Sequence, residues 1–157
     1  MQAIIFCGIQ ASGKSTYYKE HFFNSHVRIS MDLLRTRNRE SLFLEACLRS
    51  NMRFVVDNTN PTAEERAKYI HLAKAAKYEV LGFYFEANST EAVARNSLRS
   101  GRFKVPDKAI YGTHKKLQPP TLAEGYDALY LVRLLPNGHY QVRQPGQEED
   151  GKQNEIA

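Results

Sequence analysis

A glycine-rich loop near the amino terminus carries the strongest chemical signal in the sequence. Residues 8–15 read Gly-Ile-Gln-Ala-Ser-Gly-Lys-Ser and match the pattern GxxxxGK[ST] at every fixed position. The loop follows a short apolar segment, residues 2–7, and precedes a stretch of helical character. Glycines in such a loop let successive backbone N–H groups converge on an anion, and the following helix points its positive end at the same place. The pattern therefore predicts a site for the phosphates of a nucleoside triphosphate.

Each position of this loop has an expected role. Lys14 is placed for the β- and γ-phosphates of ATP, the Ser15 hydroxyl for Mg²⁺, and the Thr16 hydroxyl for the α-phosphate. The remaining positions supply backbone N–H groups. The predicted nucleotide-binding residues of the loop are thus Gly8, Ile9, Gln10, Ala11, Ser12, Gly13, Lys14, Ser15 and Thr16.

An acidic residue closes another apolar segment. Residues 53–57 read Arg-Phe-Val-Val-Asp, so Asp57 stands at the end of a predicted strand. Ligands of open α/β sheets collect at the carboxyl ends of the strands, where Asp57 can hold a water of the Mg²⁺ shell. A carboxylate that only caps the following turn is the alternative, and the phosphate loop favours the functional role.

Asp32 and Arg35 follow the second predicted strand in the segment Ser-Met-Asp-Leu-Leu-Arg. Residues three apart on a helical turn are neighbours, so two interpretations compete. The pair is either an exposed salt bridge of at most ~0.5 kcal/mol, or a working pair. In a working pair the carboxylate accepts a hydroxyl proton and the guanidinium holds a phosphate of the acceptor. Position alone does not decide between them.

Basic residues concentrate in one stretch. Residues 95–116 contain seven Lys or Arg side chains and one acidic residue, in a chain of net charge +5. Arg95, Arg99 and Arg102 have the spacing of one helix face, if the helix extends that far. A local positive field favours an anionic ligand, although a solvated basic helix has the same composition. We expect a helical lid over about residues 95–116, which brings cations over the phosphates.

Apolar segments alternate with segments of helical periodicity along the 157 residues. Strands are predicted at residues 2–7, 27–30, 53–57, 79–85 and 128–132, with a possible short sixth at 139–142. Helices are predicted from residue 14 to 23, 38 to 50, 61 to 77, 88 to 99, and from Pro106. This alternation predicts an α/β fold with a five-stranded parallel sheet flanked by helices. We expect one domain over residues 1–143 and a polar, acidic, disordered tail over 144–157.

Composition excludes several classes of protein. No apolar run approaches the ~18 residues that span a bilayer, so no membrane association is expected. The first residues lack the features of a signal peptide. Cys7 and Cys47 have neither the spacing of a zinc site nor that of a disulfide framework. A cytoplasmic location is therefore expected.

Four ordered blocks together resemble the polynucleotide 5′-hydroxyl kinase family of P-loop phosphotransferases, over roughly residues 3–133. The blocks are the phosphate loop, SMDLLR, VVDNTNPTAEERAKYI, and ARNSLRSGRFKVP followed by PPTLAEGYDALYLV. The second and fourth blocks are the more specific, because most P-loop proteins lack them. The resemblance implies a P-loop NTPase fold of strand order 2-3-1-4-5, and it covers a kinase domain only.

The resemblance also implies roles for individual residues. Asp32 matches the general base of the family, and Arg35 matches the arginine that holds a phosphate of the acceptor strand. Arg99 matches the lid arginine on the donor phosphates, and Arg95 its upstream companion. These positions agree with the roles considered above from residue types and spacing.

Asp57 and Asn58 match the acceptor-binding segment beside the active site. The function so predicted is Mg²⁺-dependent transfer of the ATP γ-phosphate to a hydroxyl, the 5′-OH of a DNA or RNA end. In this mechanism Asp32, Lys14 and Arg99 are the catalytic residues. Two alternatives stay open: a kinase of a small metabolite or nucleotide-sugar, similar to zeta toxins, and a nucleotide-binding ATPase or switch. A switch needs no base at the position of Asp32.

Overall fold

The computed structural model describes residues 1–147 of the chain. Its centre is one six-stranded sheet of order β2-β3-β1-β4-β5-β6. The strands are β1 (Gln2–Cys7), β2 (Val27–Ile29), β3 (Phe54–Val56), β4 (Glu79–Glu86), β5 (Ala128–Leu134) and β6 (Tyr140–Arg143). Strands β1 to β5 are parallel, and β6 pairs antiparallel with β5.

The predicted parallel sheet of strand order 2-3-1-4-5 is confirmed, and the short sixth strand considered at residues 139–142 is present as β6, antiparallel to β5. Only residues 135–139 connect β5 to β6. A parallel neighbour needs a crossover of a dozen residues or more, so this short connection permits only an antiparallel hairpin.

Six α-helices cover the sheet. They are α1 (Lys14–His21), α2 (Met31–Leu34), α3 (Arg37–Ser50), α4 (Ala63–Ala75), α5 (Ser89–Ser97) and α6 (Asp107–Lys116), with two 3₁₀ turns at Gly101–Phe103 and Leu122–Glu124. Successive residues of β1 face opposite sides of the sheet. Ile5 packs with α3 and α4, whereas Ile4 and Phe6 pack with Tyr17 of α1. The first strand is thus buried on both faces, as its apolar run predicts.

Two helix starts differ from the sequence prediction. The helix predicted at residues 38–50 begins at Arg37, because Thr36 caps α3, and the separate helix α2 precedes it and ends where Arg35 adopts φ 73°. The helix predicted from residue 61 begins at Ala63 as α4, because Thr62 caps it through a capping box with Glu65. Asn60, just before it, adopts φ 44°, and its side-chain amide donates to the Phe6 carbonyl at 2.8 Å. It therefore anchors the loop after β3 to β1.

Three further expectations concern the chain as a whole. Both cysteines are free and buried. Over the described residues, no helix combines the length and the apolar character that a membrane crossing requires. The predicted tail begins at residue 144 with exposed side chains, and its residues 148–157 lie outside the part of the chain that the structure describes.

Candidate nucleotide and acceptor site

The loop between β1 and α1 needs its glycines for steric reasons. A Cβ atom on Gly8 would lie 2.9 Å from the Phe85 carbonyl oxygen, closer than van der Waals contact allows. Gly13 adopts φ +95°, a left-handed conformation that favours glycine, and the Tyr140 hydroxyl donates to its carbonyl at 2.8 Å. Strand β6 therefore supports the phosphate loop from the side, a contact that the sequence did not indicate.

Lys14 lies inside this loop and is almost fully buried. Its Nζ donates to the carbonyls of Gly8 at 3.0 Å and Ile9 at 2.8 Å, and more weakly to the Ser12 hydroxyl at 3.4 Å. Burial lowers the pKa of Lys14 to about 8, against the opposing effect of the Asp57 carboxylate. The ammonium is thus held at the loop where its predicted role places it.

Ser15 and Asp57, the two predicted metal-site residues, are in direct contact. The Ser15 hydroxyl donates to Asp57 Oδ2 at 2.9 Å, and the Asp57 side chain is 2% exposed. Arg28 joins them from β2, since its Nε donates to the same Asp57 oxygen at 2.9 Å and its Nη2 donates to Ser15 Oγ at 3.1 Å. No sequence motif indicates a role for Arg28, which lies within a predicted strand.

Asp32 and Arg35 lie at the two ends of the short helix α2, both exposed. Within residues 1–147 they form no ion pair at 4.0 Å or less. The left-handed backbone at Arg35 removes it from regular i,i+3 helical geometry. The interpretation as an exposed salt bridge therefore loses its basis, and both side chains are available to a ligand.

The Asn58 side chain, predicted to bind the acceptor, is engaged with the protein at both ends. Its Oδ1 accepts the Met31 backbone N–H at 2.9 Å, and its Nδ2 donates to Glu40 at 3.0 Å. Glu40 is 1% exposed and also accepts from Tyr69 at 3.0 Å and Lys68 at 3.0 Å. Asn58 thus connects the start of α2 to a buried carboxylate that sequence reasoning missed.

Burial raises the pKa of Glu40, but hydrogen bonds from Lys68 and Arg37 outweigh burial and hold this pKa below its ordinary value. The carboxylate therefore stays ionised at neutral pH. Its contribution to stability is lost only as the pH falls below the pKa of an ordinary glutamate and through the lowered pKa of Glu40. In the sequence, Glu40 is one of several polar residues in the predicted helix at 38–50, and nothing there indicates its burial.

Helix α6, which lies within the predicted lid, packs against the phosphate loop. Ile110 and Ala92 are fully buried against Ile9 of the phosphate loop, and Gln10 Nε2 donates to Thr113 Oγ1 at 3.0 Å. Residues 97–104 form an excursion of mostly exposed side chains, with Arg99 half-buried in it. The lid over about residues 95–116 stays a prediction.

Arg95 and Arg99 do not share one helix, since α5 ends at Ser97. The Arg95 guanidinium donates to the carbonyls of Ala11 and Leu134, each at 3.3 Å, and so contacts the phosphate loop. Arg99 donates to the Phe103 carbonyl at 3.2 Å. Burial lowers the pKa of Arg99, and the charge of Asp32 opposes this shift.

Asn96 closes the excursion at its base. The side chain is fully buried, its Nδ2 donates to the Val105 carbonyl at 2.6 Å, and its Oδ1 accepts the Val105 N–H at 3.1 Å. The two stems of the loop are therefore tied together. Asparagine inside a helix is a weak sequence signal, and this role was not predicted.

The sheet order, the glycine loop and the buried lysine define a P-loop nucleotide-binding fold of the kinase type. A family model described as AAA domain matches residues 4–120, so the chain belongs to that family. The bifunctional polynucleotide phosphatase/kinase of Schizosaccharomyces pombe (strain 972 / ATCC 24843) is 26% identical over 131 residues, which are 80% of this chain and 32% of that protein. A relative from Acanthamoeba polyphaga mimivirus, described in similar terms, is 30% identical over 138 residues, 83% of this chain and 33% of its own.

This chain thus spans about a third of the length of those relatives. The resemblance to the polynucleotide kinase family is confirmed for the kinase domain. Among solved structures, Chaetomium thermophilum Kti12 in complex with ADP-AlF3 matches with a TM-score of 0.64 at 16% identity, covering 83% of this chain and 88% of that one. That likeness concerns the fold alone.

Proposed function

We propose that this protein transfers the γ-phosphate of ATP to the 5′-hydroxyl of a DNA or RNA end. One observation carries the proposal: the parallel strands β2, β3 and β1 end at one edge of the sheet, so Asp32 after β2 lies at the same edge as Asp57 after β3 and Lys14 after β1. A nucleotide switch needs no carboxylate at the position of Asp32. The polynucleotide kinase relatives support a nucleic acid end as the acceptor.

The chemistry asks little covalent work of the protein. Asp32 takes the proton of the attacking hydroxyl, which lowers the cost of forming the nucleophile. Lys14 and Arg99 neutralise charge that spreads over the transferring group. Arg35, exposed at the end of α2, forms a fork with a phosphate of the acceptor strand.

The residues present fit a Mg²⁺ ion. Ser15 Oγ and Asp57 Oδ2 are oxygen donors 2.9 Å apart, and a guanidinium cation already lies against both. Bound there, the ion supplies charge neutralisation at the phosphates.

Incubation with γ-labelled ATP tests the proposal directly. The acceptors are 5′-OH DNA, 5′-OH RNA, nucleosides and sugars, and the control is the D32N variant. We expect label on the oligonucleotides and a strong reduction with D32N. Label on a sugar or nucleoside in preference to every oligonucleotide would replace this proposal by a metabolite kinase. Release of labelled phosphate with no labelled acceptor would indicate an ATPase.

A further inference from the structure

Arg28 lies between the two predicted metal-site residues and takes part in a closed triangle of hydrogen bonds. Ser15 Oγ donates to Asp57 Oδ2 at 2.9 Å, Arg28 Nε donates to the same oxygen at 2.9 Å, and Arg28 Nη2 donates to Ser15 Oγ at 3.1 Å. One guanidinium therefore bridges a hydroxyl and a carboxylate that sit beside the phosphate loop.

The Arg28–Asp57 ion pair is largely shielded from solvent. The Arg28 side chain is 26% exposed and the Asp57 side chain 2% exposed. The guanidinium carbon lies 5.9 Å from the centre of the Tyr18 ring, so the side chain is packed on one flank as well as hydrogen-bonded. A buried carboxylate without a partner is costly, and Arg28 compensates the charge of Asp57.

The charge of Arg28 conflicts with a divalent cation bound at Ser15. A hydroxyl has one hydrogen and two lone pairs; Ser15 gives the hydrogen to Asp57 and one lone pair to Arg28, which leaves one lone pair for a further ligand. A guanidinium has donors only and cannot ligate a metal. A divalent ion on Ser15 would in addition lie a few ångströms from the positive charge of Arg28, and the two would repel each other.

We propose that Arg28 occupies the cation position between Ser15 and Asp57, and that its displacement from Ser15 sets the Mg²⁺ concentration at which the site binds a metal–nucleotide complex. The proposal rests on the nucleotide-binding part of the proposed function. It makes Arg28 a positioning residue, which acts through Ser15 and Asp57.

Nucleotide binding provides the test. The affinity for a fluorescent ADP analogue is measured in EDTA and over a Mg²⁺ titration, for wild type, Arg28→Met and Arg28→Lys. We expect Arg28→Met to lower the Mg²⁺ concentration of half-maximal effect by about tenfold, because the competing charge is gone. Arg28→Lys keeps the charge and should stay within about threefold of wild type.

Arg49→Met is the matched control, since its side chain is 80% exposed on α3 and removes the same charge elsewhere. It should leave the titration unchanged. Arg28→Gln, neutral but still polar, repeats the measurement should the methionine variant fail to fold; binding of the ADP analogue in EDTA and circular dichroism report folding. An unchanged or higher Mg²⁺ requirement in the neutral variant overturns the proposal, the higher value showing that Arg28 assists the metal site.

The readout contains no acceptor and no transfer step. Failure of oligonucleotides to take label would therefore count against the proposed function alone. A titration unaffected by the loss of Arg28 would count against this inference alone.

Discussion

The side-chain amide of Asn58 accepts the backbone N–H of Met31 at 2.9 Å, one residue before Asp32. The same amide donates to Glu40, so the first turn of α2 is tied through Asn58 to a buried carboxylate. A helix of four residues has little stability of its own, and such ties fix its orientation. We therefore expect Asn58 to position the proposed base, in place of the direct acceptor contact that the sequence suggested.

Replacing Glu40 by Gln tests this support. The carboxylate accepts hydrogen bonds from Lys68, Tyr69 and Asn58, whereas the amide places an N–H donor against these donors. We therefore expect a loss of about 1–3 kcal/mol in the free energy of unfolding. The kcat should fall while the KM for ATP stays constant, because Asp32 shifts and the phosphate loop does not. Urea denaturation and steady-state kinetics measure both effects.

The matched control for that variant is Glu45→Gln on the same helix, where the carboxylate is 60% exposed and pairs only with Arg49 at the surface. It should change neither stability nor kcat. A Glu40→Gln protein that loses stability but keeps full kcat would make Glu40 a purely structural residue.

Asp32→Asn keeps the shape of the side chain and removes the proton acceptor. Transfer should fall by roughly 10²–10⁴ while ATP affinity changes little. Rapid-quench transfer assays and equilibrium binding of an ATP analogue separate the two quantities. Equal losses of transfer and ATP affinity would instead assign Asp32 to the nucleotide or its metal.

Arg35 and Arg99 are expected to serve opposite substrates. Arg35→Ala should mainly raise the KM for a 5′-OH oligonucleotide and leave a nucleoside acceptor, which lacks the neighbouring phosphate, nearly unaffected. Arg99→Ala should lower kcat for every acceptor, since its charge is required at the donor. Equal damage by Arg35→Ala to both acceptors would favour a small-metabolite kinase.

The lowered pKa of Lys14 predicts a pH dependence of ATP binding. With a pKa of about 8, caused mainly by burial, the free protein loses the Lys14 charge above pH 8, whereas an ordinary lysine keeps it to about 10.5. Phosphates favour the ammonium form, so ATP affinity should fall by up to tenfold per pH unit above pH 8, with a proton taken up on binding. Calorimetry in buffers of different ionisation enthalpy measures both.

Lys14→Met should abolish this pH dependence along with most of the affinity. Wild-type affinity that stays level to pH 9.5 would show that the Lys14 ammonium persists in the free protein.

The stability of the fold should depend strongly on one buried ion pair. Arg66 of α4 is fully buried and its Nε donates to Glu124 at 2.8 Å. Glu124→Ala leaves that guanidinium without its partner and should cost about 3–5 kcal/mol in the free energy of unfolding. Glu91→Ala, which breaks a half-exposed pair with Arg133, should cost at most about 1 kcal/mol. Comparable losses of unfolding free energy in the two variants would show that burial of an ion pair does not determine its contribution to stability.

Local patterns predicted the order of the sheet and the phosphate loop because these depend on short segments. The run Gln2–Cys7 is apolar on both faces. Glycine is required at positions 8 and 13 for steric reasons, as in any strand–loop–helix of this type. Asp57 could be placed at the carboxyl edge of the sheet from its position in a strand alone.

The supporting contacts could not be predicted, because each joins residues far apart in sequence. Arg28 meets Asp57 across 29 positions, and Tyr140 meets Gly13 across 127. The helical spacing of Arg95 and Arg99 was misleading for a different reason: α5 ends at Ser97, and Asn96 turns the chain back through its bonds to Val105. Only tertiary structure decides between a continued helix and a closed loop.

The closure by Asn96 makes the excursion 97–104 a separable module. Since both stems meet at the Asn96–Val105 contact, a residue inserted at exposed Gly101 alters the reach of the loop without shifting the register of α5 or α6. Arg95, on the stem side, would keep its bonds to the phosphate loop, while Arg99 would move with the insertion. Grafts of other lengths into this segment thus offer a route to a different position of Arg99, while the contact of Arg95 with the phosphate loop stays unchanged.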